Sequence, residues 1–205
     1  MIIGLTGTYC AGKNHIAGFF GKRGLPVLDV DKQGHIAIET EKKQILDRFG
    51  NDILKADNTI DRKKLGEKVF GKPAELAALE AIVHPAVNRM TDVWIDERHG
   101  SPCLVHAALL HRSSAFKQLN AIVIVDAPFL TRLLRAKKRD RLPWIDIARR
   151  LQSQKEFTSQ YFSGKADIYK VENPGPLGSK LSCIFGKKRP EDRVDEILSS
   201  LGIGV

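Results

Sequence analysis

Residues 7 to 14 read Gly-Thr-Tyr-Cys-Ala-Gly-Lys-Asn, two glycines five apart with a lysine directly after the second. An apolar run, Ile2 to Thr6, precedes them and a helical run, His15 to Gly21, follows. In a strand, loop and helix of this kind, backbone N–H groups wrap a phosphate. The helix N-terminus adds partial positive charge and the lysine reaches the β and γ phosphates. Gly7, Thr8, Tyr9, Cys10, Ala11, Gly12, Lys13 and Asn14 are therefore candidate nucleotide-phosphate residues. Asn14 stands where a Ser or Thr hydroxyl ordinarily reaches Mg²⁺, and its amide oxygen is a hard-cation donor of different geometry. A second group with chemistry is Leu28-Asp29-Val30-Asp31. In an extended segment, acids two apart point the same way. Asp29 and Asp31 could thus share a metal or divide into a base and its orienting partner, and the alternative is that Asp31 caps the next helix.

Such residues need a scaffold that delivers them to one edge. Short apolar runs at Ile2 to Thr6, Pro26 to Leu28, Pro102 to Val105, Ala121 to Val125 and Asp167 to Val171 alternate with stretches of helical period. That alternation predicts a parallel sheet covered by helices, with its strands buried on both faces. Ligands of such sheets gather outside the carboxyl ends of the strands. Between the second and third strands lie about seventy residues with apolar positions at helical spacing, far more than one crossover helix needs, which predicts an inserted helical subdomain at about 32–100. A second insertion, about 132–164, reads as a lid. The expectation is one domain over residues 1–205. Pro190-Glu191-Asp192 is expected to open a last helix that Gly202 ends.

Length, 42% hydrophobic and 28% charged residues fit a folded domain and exclude disordered, collagenous and coiled-coil classes. The net charge is +9, and residues 132–150 hold eight basic side chains against two acidic ones, +6 of that total. A cluster so local fits an element that closes on polyphosphate, held open by repulsion until phosphate charge arrives, as well as it fits a DNA-binding stripe or a solvated helix face. Charge does not choose between these, though nucleic acid is not expected as a partner. Three widely spaced cysteines suggest neither disulfides nor zinc. Without an apolar membrane-length run or a leader pattern, a cytoplasmic protein with no membrane partner is expected.

Gly4-Leu-Thr-Gly7 with the phosphate loop, followed by Val27-Leu-Asp-Val-Asp31, resembles the start of dephospho-coenzyme A kinases. The likeness continues through Phe49-Gly50, Ile60-Asp61-Arg62 to Phe70, and Leu76 to His84-Pro85-Ala-Val87. It then runs through Arg150 to Gln154 and Lys165-Ala166-Asp167 to Asn173-Pro-Gly175, covering about residues 2–176. The resemblance implies an α/β, three-layer P-loop NTPase fold with a five-stranded parallel sheet, a helical substrate subdomain and a lid. It implies phosphoryl transfer from ATP, with Mg²⁺, to the ribose 3′-hydroxyl of dephospho-coenzyme A. Residue by residue, Lys13, Asp31 as general base and the lid Arg139 become catalytic. Asp29, Asp31, Arg62, Leu65, His84 and Pro85 fall on the acceptor side. Asn173 and Gly175 lie under the adenine, and Asn14 with Asp29 becomes the metal-holding pair. His84 has a second account, since the residue before Pro85 is well placed to end one helix where another begins.

The chain departs from the family where the third strand ends, with His106 in place of an acid and Ala108 in place of a proline. Together with Asn14 this predicts weaker support for the metal. Two other functions remain open at this stage: another nucleotide or small-molecule kinase of the same architecture, and a catalytically impaired nucleotide-binding relative.

Overall fold

A computed structural model describes residues 1–98, 100–152, 161, 166–175 and 188–204. The chain divides into two compact units, Met1–Leu28 with Arg98–Val205, and Asp29–Glu97.

In the first unit the chain runs β1 (Ile2–Gly7), α1 (Lys13–Lys22), β2 (Val27–Asp29, its last residue passing into the second unit), β3 (Cys103–His106), β4 (Ala121–Asp126), and β5 (Asp167–Glu172). The sheet order is β2-β3-β1-β4-β5, and β1 pairs in parallel with both β3 and β4. Ile3, Leu5, Leu104, Val123 and Val125 are sealed in a core with Ile16 and Phe20 of α1. These β-branched and aliphatic residues suit strands covered on both faces. The expectation of two buried faces fails at β5. There only Val171 is buried, because β5 is an edge strand that alternates polar residues outward. The predicted last helix is α8 (Pro190–Ser200), with Gly202 just beyond it at φ 70°. Its Val194, Ile197 and Leu198 join the same core, and Arg23 at the end of α1 forks onto Asp195, with Nη2 to Oδ2 at 2.7 Å.

Between β4 and β5 stand α6 (Phe129–Asp140) and α7 (Trp144–Gln152). Residues 153–160 and 162–165, which belong to the second predicted insertion and carry Gln154 and Lys165, lie outside the described residues, as does the segment 176–187. Among the described residues no helix is long and apolar enough to cross a membrane.

The second unit is helical: α2 (Val30–Thr40), α3 (Lys42–Phe49), α4 (Arg62–Val69) and α5 (Pro73–Asp96). Ile45, Phe49, Ile53, Ile60, Leu65 and Val69 form its core. A buried Thr91 hydroxyl donating to Gln33 Oε1 at 2.9 Å ties α5 to α2. The helix boundary at His84-Pro85 offered as the second account of His84 does not occur, for α5 continues through Pro85. Pro85 cannot donate to the Ala81 carbonyl. Packing of Ala86, Val87, Thr91 and Ile95 on the far side nevertheless carries the helix on.

Candidate active site

The phosphate loop is built by the close approach of β1 and β4. A Cβ at Gly7 would lie 2.6 Å from the Val125 carbonyl oxygen, so only glycine lets β1 leave the sheet there. The Thr8 N–H donates to that same carbonyl at 3.1 Å. Its hydroxyl donates to Asp126 Oδ1 at 2.8 Å, and the Asp126 carboxylate also accepts the Ala127 N–H. Cys10 (φ 60°) and Gly12 (φ 92°) take the left-handed turns that bring the chain round, and Gly12 caps α1, which Lys13 opens and Asn14 continues. N–H groups of a first helical turn have no intrahelical acceptors, so this terminus offers donors and partial positive charge to an anion.

The outward-facing carbonyls of the loop are held from α6. Arg132 Nε donates to the Tyr9 carbonyl at 3.0 Å, and Arg135 Nη1 donates to the Ala11 carbonyl at 2.9 Å. The Asn173 amide donates to the Ala11 carbonyl at 2.7 Å, while its own N–H bonds the Asp126 carbonyl at 2.7 Å. The Tyr9, Cys10 and Ala11 carbonyls thus all accept from side chains of α6 or from Asn173. Arg132 also approaches Asp126, at 3.5 Å. Burial lowers the Arg135 pKa from the ordinary guanidinium value, yet the group stays charged at neutral pH.

At the loop tip, the Tyr9 hydroxyl donates to the Asp140 carboxylate, which also accepts Arg139 Nε at 2.7 Å and Nη2 at 3.1 Å. The Arg139 guanidinium lies over the Tyr9 ring, 5.1 Å from its centre. Arg139 holds the Asp140 carboxyl below the usual carboxylate range. Burial, and next Asp140, push the Tyr9 phenol up. Burial also pushes up the Cys10 thiol, with Arg139 as the main opposing charge. Tyr9 and Cys10 pack against Ala136, Ile147 and Leu151, the small core of α6 and α7.

In the described part of the basic segment, five of the cations find acceptors within the protein. Arg132, Arg135, Lys137, Arg139 and Arg149 each have a protein acceptor, whether a loop carbonyl, the Leu142 carbonyl, or Asp126, Asp140 or Asp146.

A cavity of about 480 Å³ opens beside Gly12, lined by His15, Phe19, Arg135, Asn173, Gly175, Arg189, Pro190 and Glu191. Its size and mixture of apolar walls and polar groups are those of a small-molecule site. Gly175 sits in its wall at φ 85°. Asn173 is buried, with its side chain turned to the loop carbonyl.

The carboxylates of the second unit are arranged differently from the expectation. β2 ends at Asp29, and Asp29 itself caps α2 by accepting the Lys32 N–H at 3.2 Å. Asp31 lies one residue into the helix and is exposed. The two acids do not share an extended segment, and the helix cap, offered as the alternative role for Asp31, is Asp29. Arg62 is exposed at the start of α4, whose cap is Asp61. Leu65, 2% exposed, belongs to the core of this unit rather than to its surface, and His84 and Pro85 lie within α5. In the first unit, His106 is buried at the end of β3 opposite Leu5.

Among the described residues no three His, Cys, Asp or Glu side chains converge on a metal-sized site. A cation carried by nucleotide phosphates needs only one or two protein oxygens. The exposed Asn14 amide at the start of α1 fits that smaller demand.

The sequence profile of the Dephospho-CoA kinase family matches residues 1–169. The chain belongs to this family. It is 35% identical over 185 residues to the dephospho-CoA kinase of Treponema denticola, covering 84% of this chain and 82% of that one. It is 30% identical over 195 residues to that of Geobacter sulfurreducens, covering 92% and 99%. The crystal structure of TT1252 from Thermus thermophilus superposes with a TM-score of 0.78 at 25% identity, covering 100% of this chain and 98% of that one. A dephospho-CoA kinase from Campylobacter jejuni shares the fold, with a TM-score of 0.63 at 20% identity over 97% and 96% of the two chains. The chain is thus an α/β kinase with the five-stranded parallel sheet of the P-loop class.

The sequence pointed to the loop, whereas Asp126, Arg132 and Arg135 as loop supports, and His15, Phe19 and Pro190 as cavity walls, were not singled out from it. Asp126 did carry a signal, an acid at the end of an apolar strand. Arg132 and Arg135 were visible only as charge. Their partners lie more than a hundred residues away.

Proposed function

We propose that this chain transfers the γ-phosphoryl group of ATP to the ribose 3′-hydroxyl of dephospho-coenzyme A, giving ADP and coenzyme A. The observation that carries the acceptor is the family match over residues 1–169, which includes the helical unit as well as the phosphate loop. A phosphate loop alone is common to kinases of many acceptors.

In this reading the loop N–H groups and Lys13 bind the β and γ phosphates, and Arg139 adds positive charge as negative charge builds on the equatorial oxygens. The cavity beside Gly12 receives the adenine, with Gly175 in its wall and Asn173 fixing the loop beneath. Asp31, exposed near the start of α2, accepts the 3′-hydroxyl proton as general base. Asp29, Arg62, His84 and Pro85 contribute to the acceptor side, Leu65 by anchoring α4. Bound Mg²⁺ neutralises phosphate charge, and Asn14 and Asp29 are the side chains proposed to hold it. The cytoplasm, with ATP at hand and thiols kept reduced, is the proposed setting.

Coupled ADP release tests the acceptor. Dephospho-coenzyme A is expected to stimulate turnover far above a panel of nucleosides and small alcohols at equal concentration. Equal stimulation by a nucleoside would transfer the chain to another kinase specificity.

A further inference from the structure

Tyr9 lies in the loop, and its side chain reaches the end of α6 and the small core and Arg150 of α7. Its hydroxyl donates to the Asp140 carboxylate, and its ring face supports the Arg139 guanidinium at 5.1 Å. The Tyr9 backbone is fixed independently, since its carbonyl accepts Arg132 Nε and its neighbour Thr8 is tied to Asp126. The ring therefore stands on a rigid base. Asp140 engages Arg139 through Nε and Nη2, two of the five N–H donors of a guanidinium. The same group can bridge this carboxylate and a phosphate.

We propose that Tyr9 is a positioning residue for Arg139. With Asp140 it presents the guanidinium over the loop tip, where a transferring phosphoryl group would pass. A long, exposed arginine must otherwise lose rotamer freedom each time it engages phosphate. The ring face and the shared carboxylate remove that cost in advance, by an attraction of the cation to the π-system and a bidentate charge-assisted pair. Asp140, Cys10 and Arg150 are the other ionisable groups that act on the phenol. Arg150 also attracts the Asp140 carboxylate and so helps keep it charged beneath Arg139. The inference rests on the proposed role of Arg139 in binding phosphate.

The test is a double-mutant cycle on kcat/KM for ATP, with melting temperature followed in parallel. Tyr9→Phe keeps the ring and removes the hydroxyl. It is expected to lower kcat/KM about tenfold with little change in Tm, and to have no effect in an Arg139→Ala background. Asp140→Asn is expected to cause a similar loss that does not add to that of Tyr9→Phe. An undiminished effect of Tyr9→Phe without Arg139 would make Tyr9 a packing residue of the loop and overturn the proposal. So would unchanged kinetics, or a gain in kcat/KM, which would mean that the contact restrains the arginine. An Arg139→Ala variant with wild-type kinetics would overturn the arginine's role itself, whereas a large Arg139→Ala loss uncoupled from Tyr9 overturns only the positioning.

Discussion

Asn14 is the residue at which this chain departs from the ordinary chemistry of a phosphate loop, offering an amide where a hydroxyl would stand. Amide oxygen is a neutral donor on a longer arm, so a cation held there and by phosphate loses some of its preferred octahedral geometry. Asn14→Ser is expected to lower the Mg²⁺ concentration giving half-maximal turnover, by about twofold to tenfold. A coincident midpoint for the two proteins would show that the departure is neutral. The loop was legible at this scale because its spacing is local: Gly7, Gly12 and Lys13 sit within seven residues. Asp126 showed only as an acid at a strand end and Arg135 only as charge, because their role comes from tertiary closure onto residues more than a hundred positions earlier. The placement of Asp31 in an extended segment failed for a local reason. A strand end and a helix cap look alike in sequence, and the cap at Asp29 removed the extended geometry that would have aligned it with Asp31.

Helices decide how firmly these residues are held. The end of α6 is tied to the loop through Asp140, whose folded-state pKa is depressed by Arg139. A depressed carboxyl stabilises the fold fully above its unfolded pKa, about 3.9, and loses that contribution as pH falls through the lower folded value. Because Arg139 is largely exposed, the contribution is discounted for solvent screening to about 0.5–1 kcal/mol. The Tm of Asp140→Asn is therefore expected below that of the wild type at neutral pH, with the gap closing only below about pH 4. A gap that persists into strong acid would place the effect in packing rather than charge. α5 offers a second test. Pro85, inside its 24 residues, leaves the Ala81 carbonyl without its helical donor. Pro85→Ala is expected to stabilise the chain by about 1–3 kcal/mol in urea unfolding. A destabilised variant would mean that the local geometry at Pro85 is required by the packing around it. Helical period gave the existence of α5 correctly, while the proline rule misplaced a boundary because packing on both sides outweighed one missing hydrogen bond.

For the molecule as a whole, the alternation of apolar runs and helical stretches was enough to give the sheet, since strands buried on both faces leave a plain record in sequence. The strand order, with β1 between β3 and β4, was not written there, because order depends on crossovers rather than on composition. The net charge of +9 likewise gave no sign of the acceptors in its densest segment, which are backbone carbonyls and scattered acids. Only the family match joins the loop to a particular acceptor. The most direct measurement is therefore the identity of the product formed from ATP and dephospho-coenzyme A, followed by phosphorus NMR. The account predicts a new phosphomonoester on the ribose 3′ carbon, in one-to-one ratio with ADP. Lys13→Ala should slow its formation by roughly 10² or more while leaving Tm unchanged. ADP formed with inorganic phosphate and no phosphorylated acceptor, or a phosphate on any other hydroxyl, would contradict it.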